Sequence, residues 1–206
     1  MRLAMIMIMI LSANAMGHYF AGQGHKDLSD NIGHLRSNEK KERESAASAI
    51  LQLSRQAEYR QRAISEVENI AREFIIIDSG KGIAKTAISL LGDLRAEESV
   101  PFLVNNLTFE VFYLEANKPQ TKEDRYPCVG SLIKIGQPSI ELTVVKAERT
   151  EDDRTIQLSG YVVERVLQDK AEPYLTGRIE NQTDQNVRRK LLRMLRDVNL
   201  WHANKR

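Results

Sequence analysis

The feature that most constrains this chain is a recurring proline. Pro101, Pro138 and Pro173 stand 37 and 35 residues apart. Each follows a short polar turn and opens an apolar stretch: Val-Pro-Phe-Leu, Gln-Pro-Ser-Ile and Glu-Pro-Tyr-Leu. Proline is favoured in the first turn of a helix, where its missing N–H would have no partner. An apolar helix end stands before each turn: Leu90–Leu94, Leu132–Ile135 and Val166–Leu167. A period of 35–40 residues with two helices per unit is the signature of a stacked helical repeat. The expected fold is therefore all-α, a right-handed α-solenoid of about four helix-pair repeats with a terminal capping helix.

Apolar periodicity supports helices throughout. Ile64, Val67, Ile70, Ala71 and Phe74 fall at three- and four-residue steps, as do Ile83, Ala87, Ile88, Leu91 and Leu94. The last stripe is Val187, Leu191, Met194, Leu195 and Val198. These patterns predict helices over 39–54, 57–75, 82–95, 98–108, 126–136, 138–148, 153–168, 171–181 and 184–198. No alternating strand pattern appears, and Ile75–Ile77 continues directly from a strong helix. Two charged runs, 39–44 and 188–196, suit the polar outer faces that end helices need.

The segment Ala87–Leu103, which runs through Leu-Gly-Asp-Leu and a short turn to Val-Pro-Phe-Leu, resembles HEAT-like repeats. The likeness is to the short bacterial repeats of the phycobilisome-lyase type. Leu132–Ile140 is a shorter match, and Val166–Leu175 a third that lacks the glycine. The resemblance implies the solenoid fold and a habit of binding other macromolecules. It implies no catalytic residues.

The first fifteen residues read differently. Arg2 precedes an unbroken apolar run from Leu3 to Leu11, and Ser12-Ala13-Asn14-Ala15 follows. A short basic start, an apolar core too short to span a bilayer and an A-x-A site describe a secretory signal peptide. The expectation is an exported chain, periplasmic or extracellular, with no transmembrane segment. Residues 16–37, rich in Gly, His, Ser and Asn, are read as a flexible leader, and 38–206 as the repeat domain. Cleavage after Ala15 would place His18 third from a free amine, an arrangement that binds Cu(II) or Ni(II), with His25 and His34 downstream; incidental histidines in a leader explain them as well.

The chain holds 206 residues, a net charge of +2 and 28% charged residues, which gives no reason to expect nucleic acid as a partner. Its single cysteine, Cys128, has no partner for an intramolecular disulfide and no histidine near it in sequence, so it reads as a buried structural thiol. No cofactor or metal centre is expected.

Two regions are candidates for partner binding. The insertion at 109–125 breaks the repeat and gathers aromatics in a chain only 6% aromatic. Tyr113 and Tyr126 are read as contacts, whereas Phe109 and Phe112 are read first as extra core, with Phe112 kept beside the tyrosines as a contact candidate. The second region is the basic C-terminal helix, with Arg189, Arg193 and Arg196. The expected function is an exported, non-enzymatic scaffold that binds another protein through its concave face and the 109–126 insertion. The alternatives are a lyase-like enzyme or chromophore-attachment factor, or a metal- or anion-binding protein using the leader or the basic helix.

Overall fold

The computed structural model describes residues 24–112 and 120–203. Residues 1–15, His18 and Tyr113 lie outside them. Among the described residues every regular element is helical. The elements are α1 (24–34), α2 (Lys40–Leu53), α3 (Ala57–Phe74), α4 (Lys81–Asp93) and α5 (Val100–Asn105). After the insertion come α6 (Lys122–Arg125), α7 (Pro127–Ile135), α8 (Ile140–Arg149), α9 (Asp153–Leu167), α10 (Ala171–Glu180) and α11 (Gln185–Ala203). None of these helices is long and apolar enough to cross a membrane.

The predicted stripes are the buried ones. α3 buries Ala63, Ile64, Val67 and Ile70, α4 buries Ala87, Ile88 and Leu91, and α11 buries Leu191, Met194 and Val198. One core runs through them, because each helix lays its apolar stripe on its neighbours. Helices α2, α4, α7, α9 and α11 each contact the next in that order. Among the intervening helices, α5 meets α8, Arg72 of α3 stacks 4.5 Å from the Phe102 ring of α5, and Arg178 of α10 reaches Glu141 and Glu148 of α8.

The leader is a correction. Residues 24–34 form a helix rather than a flexible lead-in, and Leu28 and Leu35 are wholly buried. Arg62 of α3 donates to Ser29 at 2.9 Å, and the His25 and Tyr59 rings meet edge-on at 5.0 Å. The run 39–44 is thus not an outer cap, since α1 lies beyond it and its Arg43 is buried. Glu151-Asp152-Asp153 stands at the start of α9. The Asp152 carboxylate accepts from the Thr155 amide at 2.9 Å and caps α9, and the Thr155 hydroxyl and amide hold that carboxyl below the usual range.

The turns repeat in structure as well as in sequence. The turns of three residues at Glu97–Ser99, Gln137–Ser139 and Gln168–Lys170 each lead into the second helix of a pair. A residue with positive φ precedes or opens each: Arg95 at 49°, Gly136 at 85° and Gln168 at 52°. Arg95 ends α4 in a Schellman-type cap, with the Ala96 amide donating to Leu91 O at 3.0 Å. Gln168, with ψ −122°, adopts nearly the conformation of Gly136, with ψ −140°. The third turn therefore keeps this backbone shape although it lacks the glycine, and its glutamine sits in backbone space that favours glycine. Gln168→Gly is expected to raise stability by about 1 kcal/mol in urea unfolding. A lower midpoint would show that the turn is not strained.

Gly92, in the Leu-Gly-Asp-Leu motif, sits where the backbones of α4 and α7 come close together. A Cβ there would lie 2.7 Å from Ser131 Cα, and Ser131 Oγ donates to Ile88 O at 2.6 Å across the same contact. Backbone cannot yield as a flexible side chain can, so Gly92→Ala should cost about 1–3 kcal/mol. Gly177→Ala, mid-helix in α10 with nothing within 4 Å, should instead stabilise by roughly 0.5–1 kcal/mol. Thermal melts of the two variants moving in the same direction would contradict this packing.

Candidate functional site

The insertion is anchored by both of its described limbs. After α5 the chain runs without regular structure to Phe112. The Val111 amide donates to Arg125 O at 2.9 Å, and Gln120 Nε2 donates to Val111 O at 2.8 Å. The Glu110 carboxylate receives the Arg125 guanidinium of the returning limb and Arg154 of α9, the latter at 3.0 Å. Thr121 caps α6, which packs on α7 and reaches α9 through its side chains. There Lys122 sits 4.7 Å from the centre of the Tyr161 ring, and the Tyr161 hydroxyl donates to Glu123 at 2.7 Å. Burial, followed by that hydrogen bond, pushes the Tyr161 hydroxyl up to about 12. Burial likewise lowers the Lys122 ammonium from its ordinary value.

These ties exchange the roles expected of the aromatics. Tyr126 is buried at 7% exposure and is core, not an accessible contact. It follows directly from α6 into α7, whose stripe faces inward. Phe112, read first as core, is 63% exposed. Its ring is steadied by the Arg125 guanidinium, 4.7 Å from the ring centre. Phe109 packs half-buried against the core, as expected.

Phe112 and Val111 border a depression of about 340 Å³ that also touches Asn38, Arg43, Asp78 and Gly82. A larger groove of about 490 Å³ lies between α2 and α4. Ala47, Leu90 and the stem of Arg43 form its apolar part; Ser48, Lys85, Ser89 and Asp93 supply polar groups. Arg43 and Gly82 line both hollows, so the two adjoin. The periodicity overlooked Arg43 because it stands in a run of charges. Yet Arg43, Ala46 and Ile50 lie at three- and four-residue steps on the inward face of α2, which was the available signal.

The basic face of α11 is partly committed within the fold. Arg193 pairs with Asp153, and Lys190, only 8% exposed, pairs with Glu151 at 2.6 Å. Arg196 lies 3.8 Å from its neighbour Asp197, and Arg189 is exposed. The outer face of α11 is not uniformly polar, because Leu192 and Leu200 are 49% and 55% exposed. The sequence-predicted residues therefore do not converge: Phe112 and Tyr126 meet around Arg125, while Arg189, Arg193 and Arg196 occupy α11.

No protein-family model matches the chain, and comparison with curated proteins finds no match. Among the described residues no three His, Cys, Asp or Glu side chains are grouped to hold a metal ion.

Cys128 is wholly buried in α7, and burial pushes its thiol far above the ordinary range. The reactive form of a cysteine is the thiolate, so this one is inert while folded. The native chain should resist iodoacetamide at pH 8, with one thiol titrating after urea unfolding. Rapid stoichiometric labelling of the folded chain would contradict this placement.

Proposed function

We propose that this chain is an exported, non-enzymatic helical-repeat protein that binds another protein. In this reading its helix pairs stack as a right-handed α-solenoid resembling the HEAT-like repeats. The binding surface is the concave face carrying the α2/α4 groove, together with the 109–126 insertion. The order in which α2, α4, α7, α9 and α11 meet supports the stack. The residue pattern at 1–15 supports export to the periplasm or outside the cell.

The observation that carries the reading is Phe112. A large aromatic ring left in solvent, held in place by a guanidinium and set at the mouth of a hollow, has the properties of an interface anchor. A structural role would have buried it, as it buries Tyr126. The inert Cys128 thiol and the ion pairs that occupy Lys190 and Arg193 support binding rather than chemistry.

Crosslinking capture from envelope and secreted fractions of the source cells tests this. Wild-type chain is expected to enrich one partner, and Phe112→Ala to reduce that capture roughly tenfold while the thermal melt stays unchanged. Equal capture by both chains, or no enriched partner, would overturn the reading.

A further inference from the structure

The end helix turns a line of side chains to solvent that the fold does not use. α11 lies on α8, α9 and α10 and buries Lys190, Leu191, Met194 and Val198. Away from that stripe, Arg189, Leu192, Arg196 and Leu200 recur at steps of three and four residues, and all four are exposed. Such steps put them on one face of the helix, each leucine beside an arginine, over about 16 Å.

Two hollows adjoin along this line. One, of about 400 Å³, is bordered by Leu192, Leu195, Arg196, Asn199 and Leu200. All five belong to α11, so this hollow is a dip on a single convex helix and has no second wall. The other, of about 520 Å³, holds Arg189, Lys190 and Arg193 with Glu151 and Asp153. Leu192 and Arg196 border both, so apolar and basic surface meet there. A docking peptide helix lays its apolar face into a groove, and one helix alone makes none. A flat lipid surface needs no groove. Leucines enter the boundary between headgroups and acyl chains, and guanidinium forks meet the phosphates.

The charges on this side favour an anionic surface. Its cations are Arg188, Arg189, Lys190, Arg193 and Arg196. Lys190 takes Glu151 and Arg193 takes Asp153. Arg196 lies 3.8 Å from Asp197, whose side chain is only 14% exposed and faces Lys122 as well. Asp184 accepts the amides of Asn186 and Val187 at the start of the helix. Among the described residues Arg188 and Arg189 form no ion pair, although Arg189 stands near Glu151. The exposed line itself carries arginines and no carboxylate. We propose that this face of α11 docks on an anionic phospholipid surface, with Leu192 and Leu200 entering it and Arg189 and Arg196 on its phosphates. The inference uses a face that the protein-binding reading leaves free, and it stands or falls separately from that reading.

The test is vesicle titration of the full chain carrying Asn199→Cys, labelled with an environment-sensitive naphthalene dye. Buried Cys128 does not compete for the label in the folded chain. A dye on α11 reports that face alone, whatever the apolar run at 3–11 does. A saturable blue shift is expected with vesicles of phosphatidylglycerol and phosphatidylcholine in equal parts. Phosphatidylcholine alone should give none, and about 0.5 M salt should reverse it. Arg189→Gln with Arg196→Gln should weaken binding about tenfold, and Leu192→Ser with Leu200→Ser several-fold. These positions are exposed, so the thermal melts should stay unchanged. The same dye at Ser48→Cys on α2 should not shift. No shift at 199, an equal shift on phosphatidylcholine, or an affinity indifferent to the arginine pair would each overturn the inference. A shift with polyglutamate and none with vesicles would also overturn it, and would make the face a site for acidic protein.

Discussion

The contact between α4 and α7 at Gly92 and Ser131 sets the spacing on which the rest of the structure depends. With hydrogen in place of a side chain, the two backbones come close enough for Ser131 to hydrogen-bond the Ile88 carbonyl. α4 is also the helix on which α2 and α3 lie, and α7 is the helix that receives the insertion's returning limb. The same approach therefore fixes one wall of the α2/α4 groove and the place where the 109–126 segment re-enters the fold. A wider spacing would separate Arg125 from Glu110, and with it the ring of Phe112 from the hollow it borders.

The insertion is positioned by polar links rather than by burial. Glu110 joins its own two limbs to α9, and the Val111 amide pairs with the Arg125 carbonyl across them. Such partly exposed ion pairs are individually weak. Together with the burial of Val111 and Tyr126, they orient one exposed aromatic without placing it in the core. An aromatic held rigid before binding loses less entropy on binding, which is the physical advantage of an anchored insertion over a loose loop.

Much of the fold could be read from the sequence, because helical stripes and prolines report directly on packing. The nine helices drawn from periodicity all appear, and the turns fall at the recurring prolines. What the pattern hid has physical causes. α1 and the residue that follows it carry only Leu28, Ile32 and Leu35 at helical spacing among glycines and histidines, a stripe too sparse to stand out, although α1 reaches α3 through Ser29 and His25. Arg43 lay in a run of charges, where periodicity weighs composition and misses a long polar side chain that turns inward. Phe112 and Tyr126 exchanged roles because exposure in an insertion is decided by ion pairs between distant positions, Glu110 with Arg125 and Arg154, which no local window contains. Gln168 shows the reverse: the sequence offers no glycine at the third turn, yet its backbone adopts nearly the conformation of Gly136.

The central proposal is that partner binding belongs to the side of the molecule formed by α2, α4 and the insertion stem rather than to the basic terminal helix. Hydrogen exchange of the full chain, measured with and without its captured partner, tests this most directly. The account predicts slowed exchange confined to the amides of α2, α4 and 109–112. Slowing concentrated on α11, with α2 and α4 unchanged, would contradict it.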